Sequence, residues 1–511
     1  MASTPVDTRA SMEAMVSLTA PIRFQPGVIV SRPRLAGSHP LARALGIGLL
    51  IAIGAPVLAL LSRGFPNLFF EDDAYFYLQI ARNIGRGAGS TFDGLHVTDG
   101  YHLLWTAVLV PFAALASVLG LGKTAFVAIV SGVGLGIAGL AAVVSFRGPW
   151  ARALSLLLFL FSGITMETVI LAALVLWTLR MTRGEIAARP ALLAGIAAAA
   201  ALSRVDHALL VPGLALAASR DQGGPRLAMA AGAGALAGMA CHFGLERLLF
   251  GAWSSVAAAY KADVAVHQGG LALLLRNLRG SGTRIRFLTL GALVIPAAWS
   301  LARTRRLREL AGLALILMPI AVYSVLSELR DWYFLVSLQG ALFVATRERE
   351  MRFGRVAAPL FGLLLVAILT YLVRATPDMR RTAAFVALAN RALRPDDVIY
   401  QVDGTGFTGY WLRAHVVNGD GFVNSWDYRR RLLRDDLGNY LEEIGATHVL
   451  TSGSAEPDPL LAWHGLVVRR AEARPVLDAG PTRNPLVRFR LFAIGQAFSG
   501  SRHRVGSSRS W

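Results

Sequence analysis

Two adjacent carboxylates, Asp72 and Asp73, open the stretch of this sequence best equipped for chemistry. The segment reads Phe70-Glu71-Asp72-Asp73-Ala74-Tyr75-Phe76-Tyr77 and continues through Ala81-Arg82-Asn83 and a glycine-rich run at 85–89. It ends Asp99-Gly100-Tyr101-His102, directly before an apolar stretch. From Asp73 to Ile84 the spacing suits a helix lying in a membrane interface, with its aromatic residues toward lipid. Paired carboxylates at such a helix start can cap it, bind a metal or hold a general base. A neighbouring negative charge raises a carboxylate's proton affinity, which suits a base. Further acids, Glu167, Asp206, Glu328 and Asp331, stand beside other apolar runs, as do the cations Arg204, Lys261 and Arg330. Ionisable groups so near hydrocarbon are costly and tend to mark substrate or ion pathways. Arginine can grip phosphate oxygens in pairs and lysine acts as a point charge, although either can also snorkel to lipid headgroups.

The elements that must position these groups are membrane helices. The chain has 511 residues, 54% of them hydrophobic and only 16% charged, and its mean hydropathy is +0.51. Soluble domains carry about 25% charged residues. A crossing helix needs about 20 apolar residues. Candidate spans fall near 41–62, 103–119, 124–145, 164–180, 189–203, 206–219, 226–244, 285–302, 309–327, 332–346 and 356–373. The run 153–162 is short for a span and reads as re-entrant or interfacial. The expected fold is an all-α polytopic membrane bundle of about eleven transmembrane helices. Residues 1–40 read as a cytoplasmic disordered leader, and 41–375 as the membrane domain with an outer loop at 63–102.

Arginines at 303–308, at 347–355, and at Arg180, Arg183, Arg189, Arg220 and Arg226 mark the cytoplasmic side. The loops 63–102, 146–163, 203–206, 245–284 and 328–331 and everything after 374 then lie outside. Arg147 and Arg152 break the rule in this assignment. The orientation uses Lys and Arg alone, so the gathering of acids at the outer ends is an independent observation. The net charge of +19 follows from those loops and suits anionic lipid. No soluble basic face with aromatic platforms points to nucleic acid.

Residues 376–498 read as a small C-terminal α/β extracytoplasmic domain. Strand-like stretches lie at 398–402, 415–417, 448–451 and 466–469, with a helix over 428–444. The tail at 499–511 reads as disordered. Gly404-Thr405-Gly406-Phe407-Thr408-Gly409 matches a dinucleotide fingerprint letter for letter, but the following helix would be very short and Asp420 lies nearer than the roughly 20 residues such a site needs, so a turn is expected. The single cysteine, Cys241, permits no intrachain disulfide and reads as a small core residue.

The Asp-Asp-Ala-Tyr motif, the Ala-Arg-Asn helix, the glycine-rich loop and Gly100-Tyr101-His102-Leu103-Leu104-Trp105-Thr106 resemble the polytopic type C glycosyltransferases, closest to arabinofuranosyltransferase-like members. Ser162-Gly163-Ile164-Thr165-Met166-Glu167-Thr168 is similar to a Ser-Gly-Met-Glu-Thr stretch of that family. Leu202-Ser203-Arg204-Val205-Asp206, Tyr260-Lys261 and the segment 417–424 are similar to further stretches, with Val205 where proline is usual. The resemblance implies transfer of a sugar from a polyprenyl-phosphate donor, with inversion, to an envelope glycan or lipid acceptor. The setting it implies is the outer face of a bacterial inner membrane. It implies Asp72 as the base, with Asp73 orienting it or touching the acceptor. Glu167, Arg204, Asp206, Lys261, Arg330, Tyr75 and His102 are the expected substrate-binding residues. No cofactor is required; Asp72, Asp73 and Glu167 are the oxygen ligands available should Mg²⁺ or Ca²⁺ be used. The competing readings are a transporter or flippase of lipid-linked sugars, which would favour repeats and midplane sites that the sequence lacks, and a non-catalytic scaffold.

Overall fold

The structure, a computed structural model, describes residues 71–218, 224–268, 270–327, 329–347, 353–401, 404–434, 436–452, 460–463, 466–469, 473–478 and 489–494. The leader, the first expected span, Glu328 and the 499–511 tail lie outside the described residues.

The chain is a mostly helical, multi-pass membrane protein with a small sheet at its C-terminal side. Helix α1 is Asp72–Gly85, α2 is Leu103–Val118, α3 is Lys123–Ser145 and α4 is Pro149–Phe161. Then come α5 (Thr168–Thr182), α6 (Pro190–Ser203), α7 (Leu210–Ala218) and α8 (Gly224–Phe250). The expected outer loop 245–284 is itself helical: α8 runs on to Phe250, and α9 (Val256–Gln268) and α10 (Leu271–Arg279) follow before α11 (Ser281–Arg303) begins. Leu271, Leu275 and Leu278 recur at helical spacing along α10 and stay exposed, while Asn277 pins it to the Ser324 and Ser327 carbonyls at 3.1 and 3.0 Å. Next are α12 (Leu307–Leu326), α13 (Phe334–Arg347) and α14 (Phe353–Ala392). Hydropathy falls near 376 while α14 continues, so the sequence there marks a change of surroundings inside one helix. Cys241 is exposed on α8 rather than in the core, facing out among residues such as Leu236 and Leu248.

The long helices join two chemically different ends. At one end Arg347 donates to Glu185 at 2.7 Å and to the Ser145 carbonyl at 3.3 Å, Arg183 pairs with Glu309 at 3.6 Å, and Arg306 also pairs with Glu309. Of the expected cytoplasmic arginines, Arg180, Arg183, Arg306 and Arg347 therefore do share one end. At the other end lie Glu167, Arg204 and Asp331, and the C-terminal domain docks there.

Two expectations for the crossing segments change. The stretch 103–119 does not run from end to end: α2 starts beside Glu167, and the turn after it returns Lys123 to the docked domain, where Lys123 Nζ donates to the Leu412 carbonyl at 3.0 Å. Helix α2 lies along α1 instead, so closely that a Cβ on Gly85 would come within 2.8 Å of the Ala114 nitrogen. Its apolar residues are satisfied by packing and by the interface. Conversely, α4, at 13 residues, links the ends. Arg152 near its start donates to the Phe146 carbonyl at 2.7 Å, while Phe161 at its finish accepts from Arg286, which holds Asp331. Residues 146–163 therefore do not form one outer loop, and Arg147 and Arg152 join the arginine-rich end. Ten apolar residues were too few to read as a span; embedding within protein relaxes that length requirement.

The C-terminal domain opens with β1 (Val398–Gln401), α15 (Thr405–Trp411) and β2 (His415–Asn418). Helices α16 (Trp426–Leu433) and α17 (Leu437–Glu443) divide the expected 428–444 helix. The strands β3 (His448–Ser452), β4 (Leu460–Trp463), β5 (Leu466–Arg469), β6 (Ala473–Asp478) and β7 (Phe489–Ile494) complete it. The main sheet has the order β2-β1-β3-β7-β6, with β1 parallel to β2 and β3, and β7 antiparallel to β3 and β6; β4 and β5 pair separately. The glycine-rich segment is thus a strand–helix–strand crossover and not the expected turn.

Candidate active site

Glu167 is the hub of a buried polar cluster at the docked end. It stands in the turn between α4 and α5, where the Thr165 carbonyl accepts from Trp105 Nε1 at 3.1 Å and Gly163 takes a positive φ of 89° against Trp332. Its carboxylate accepts from Tyr77 OH at 3.1 Å and from Arg204 Nη1 at 3.0 Å, and His102 Nε2 lies 3.3 Å away. Arg204 follows the end of α6 in extended backbone, which turns its side chain back into the cluster. Its fork also grips Asp206 at 3.2 and 2.8 Å and donates to Tyr323 OH at 3.0 Å. His207 Nδ1 is 3.0 Å from Asp206. Tyr323 and Tyr333 stack at 4.8 Å, and the guanidinium sits over both rings. Lys261 donates to Tyr333 OH at 3.3 Å. Among the described residues Lys261 pairs with no carboxylate.

The charges in this cluster set one another. Burial alone would raise the Glu167 carboxyl, but His102, Arg204 and the Tyr77 hydroxyl reverse that and hold it below its ordinary value. Asp206 is held well below its ordinary value: burial opposes this, and Arg204 and His207 outweigh it. Burial, with Arg204 and Lys261 nearby, pushes the His102 imidazole down to about 4, against the opposing pull of Glu167. Two carboxylates therefore meet two cations, Arg204 held in a fork and Lys261 left on an aromatic wall.

The acid pair divides between two surroundings. Asp72 Oδ1 accepts from the Phe407 amide at 2.7 Å and Oδ2 from the Gly406 amide at 3.0 Å, at the first turn of α15. Asp73 is exposed and lies one helical turn before Tyr77, near enough to act electrostatically on Tyr77 and Glu71. Tyr75 is 1% exposed and packs against Phe407, Tyr410 and Trp411, so it belongs to the docking surface and not to the Glu167 cluster. Arg330 is exposed on the side of a second group, in which Arg286 holds Asp331 at 2.9 Å. Glu71 joins that group; burial and Asp331 push its carboxyl up to about 7, against Arg286.

The structure therefore brings Glu167, Arg204, Asp206, Lys261 and His102 together and leaves Tyr75 and Arg330 elsewhere. Asp72, Asp73 and Glu167 do not form one ligand set: Asp72 is taken by backbone amides and Glu167 by Arg204. Among the described residues no three His, Cys, Asp or Glu side chains stand together as metal ligands. Sequence reasoning missed Tyr77, Tyr323, Tyr333, His207, Glu71 and Arg286. The spacing of Tyr77 four residues after Asp73 on an expected helix was a usable signal for the first. Tyr323 and Tyr333 read as ordinary interface aromatics, since only the fold stacks them.

The glycines of 404–409 each have a reason that involves no nucleotide. Gly404 holds a positive φ of 69°, a Cβ on Gly406 would lie 2.0 Å from the Asp72 carbonyl, and one on Gly409 would lie 2.3 Å from the Phe92 ring. The helix start that a phosphate could have occupied is filled by Asp72.

Among solved structures the chain is similar to ArnT from Cupriavidus metallidurans bound to undecaprenyl phosphate, with a TM-score of 0.51 and 15% identity over 91% of this chain and 100% of that one. At that identity the likeness shows the fold. No protein-family model matches the sequence, and no curated protein matches it.

Proposed function

We propose that the protein is a membrane glycosyltransferase that moves a sugar from a polyprenyl-phosphate donor to an envelope glycan or lipid acceptor. The observation that carries this reading is Lys261 standing beside Arg204 on the Tyr323–Tyr333 wall, on a fold shared with a protein bound to undecaprenyl phosphate. Two cations at an aromatic wall suit a phosphate monoester leaving group, because they stabilise charge that grows as the sugar–phosphate bond breaks.

Asp73 is the base in this reading. Asp72 spends both oxygens on Gly406 and Phe407, whereas Asp73 is exposed on the same helix face as Tyr77. The acceptor hydroxyl gives its proton to Asp73, its oxygen bonds to the anomeric carbon, and the carbon–oxygen bond to phosphate breaks with both electrons leaving on the polyprenyl phosphate. Attack opposite the leaving group inverts the anomeric centre. The Asp73 proton then passes to water. Glu167 and His102 offer hydrogen bonds to sugar hydroxyls. Side chains supply the base and the cations of this step, and chelation reads out any contribution from Mg²⁺ or Ca²⁺.

The positive-inside rule supports an extracytoplasmic site in a bacterial inner membrane. Arg180, Arg183, Arg306 and Arg347 share the end opposite the cluster, and Arg147 and Arg152 now join them. The likeness of the first loop to arabinofuranosyltransferases places arabinofuranose among the donors to test. The test is binding of undecaprenyl phosphate and of a panel of polyprenyl-phosphate sugars to the purified protein, followed by transfer. Saturable binding with release of polyprenyl phosphate on adding acceptor supports the reading. Binding without any turnover across the panel favours a transporter, and neither favours a scaffold.

A further inference from the structure

The short helix α15 is held at both ends by the membrane part of the chain. At its N-terminal turn the Asp72 carboxylate accepts from Gly406 and Phe407. At its C-terminal turn the Lys123 ammonium donates to the Tyr410 carbonyl and, at 3.0 Å, to the Leu412 carbonyl, while Tyr410 OH returns a hydrogen bond to the Lys123 carbonyl at 2.8 Å. A carboxylate acceptor at the amide end and an amine donor at the carbonyl end each satisfy backbone groups that a helix end leaves without intrahelical partners. Between them Tyr75 packs on Phe407 and Tyr410, and Gly406 and Gly409 admit α1 and Phe92 at distances no Cβ would allow. Every α1 residue from Ala74 to Leu78 is buried, so α1 has little freedom apart from α15.

We infer that this two-ended clamp is a positioning device: Asp72 and Lys123 lock α15 onto α1, and the C-terminal domain thereby sets where Asp73 stands in the site. The inference rests on the proposed transfer reaction for its catalytic consequence, while the clamp itself does not. Asp72 and Lys123 are then positioning residues. Lys123 touches none of Glu167, Arg204 or Lys261, so its effect must travel through α15 and α1.

Hydrogen exchange on the full-length protein in nanodiscs tests the clamp, using wild type, Lys123→Met, Lys123→Arg and Asp72→Asn. Loss of a charge-assisted hydrogen bond is worth about 10-fold or more in local opening. The expected result for Lys123→Met is exchange about 10-fold faster in peptides covering both 404–412 and 72–85, with α5 and α13 unchanged as the check on folding. Asp72→Asn, which leaves one acceptor oxygen for two amides, should do the same. In the transfer assay Lys123→Met lowers kcat about 10-fold at unchanged donor KM, and Lys123→Arg restores both exchange and rate. Unchanged exchange in both Lys123→Met and Asp72→Asn would overturn the clamp. Faster exchange in 404–412 with 72–85 or kcat unaltered would overturn the positioning role. If wild type transfers no sugar, the paired exchange of the two peptides still decides the coupling, separately from the functional reading.

Discussion

The Phe407 amide donates to the Asp72 carboxylate at 2.7 Å across 335 positions of sequence. The residue that the motif nominates as base thus serves as a helix cap supplied from another domain, a role worth about 1 kcal/mol in ordinary caps. Its neighbour Asp73 remains exposed and a helical turn from Tyr77, whose hydroxyl reaches Glu167. Two adjacent acids in one motif therefore have different surroundings, one bound to backbone amides of the docked domain and one exposed a helical turn from Tyr77.

Within the Glu167 cluster Lys261 is the cation that no described carboxylate pairs with, so it should feel a donor phosphate most directly. Lys261→Met is expected to weaken binding of polyprenyl phosphate about 10- to 100-fold, the range of a lost hydrogen bond to a charged group, with little change in thermal stability. Titration of the purified variant with undecaprenyl phosphate checks this. Equal affinity in variant and wild type would remove Lys261 from the phosphate site.

Glu167 and Arg204 are 1% and 2% exposed and 3.0 Å apart. Glu167→Ala leaves a buried guanidinium with Asp206 alone, and breaking such a pair costs about 3–5 kcal/mol. Glu167→Gln keeps an acceptor for Tyr77 and should cost less. Thermal unfolding in detergent should rank wild type above Gln and Gln above Ala. The same stability for Ala as for wild type would contradict the cluster's geometry.

Glu71 gives the protein a pH dependence with a definite sign. Its carboxyl titrates near 7 in the fold against 4.5 ordinarily, through burial and Asp331. Between those values the folded state binds more protons than the unfolded one, so stability falls as pH rises through that window. Glu71→Gln should flatten the dependence and unfold at a higher temperature than wild type at pH 8. Parallel curves from pH 5 to 8 would contradict the assignment.

Gly409 faces the Phe92 ring, which is 3% exposed. Gly409→Ala should destabilise the docked domain by about 1–3 kcal/mol, the usual cost of overpacking. Adding Phe92→Ala should recover part of that loss, which a double-mutant cycle on unfolding measures. Additive losses would show that the two residues do not meet.

The sequence displayed the helices and the acids better than it displayed their partners. Glu167, Arg204, Asp206 and Lys261 were legible because ionisable residues beside apolar runs are rare. Tyr323 and Tyr333 were not, because stacking is a property of the fold and tyrosine is common at interfaces. The end-to-end run of α4 was left open, and the packing of α2 along α1 was not foreseen. Hydropathy counts apolar residues, and protein packing satisfies them as well as lipid does. Arg147 and Arg152 carried the warning, since both broke the positive-inside rule until α4 was seen to link the two ends. The strand–helix–strand unit at 398–418 was hidden by the shortness of α15, and the strands β4, β6 and β7 went unread.

The most direct test compares sugar transfer by wild type, Asp73→Asn and Asp72→Asn from a polyprenyl-phosphate donor in single-turnover conditions. The prediction is that Asp73→Asn binds donor as wild type does but transfers at least ~100-fold more slowly, as loss of a general base requires. Asp72→Asn should lose only about 10-fold, together with faster exchange at Gly406 and Phe407. Full activity in Asp73→Asn, with the large loss falling on Asp72→Asn, would contradict the account and return the base to Asp72.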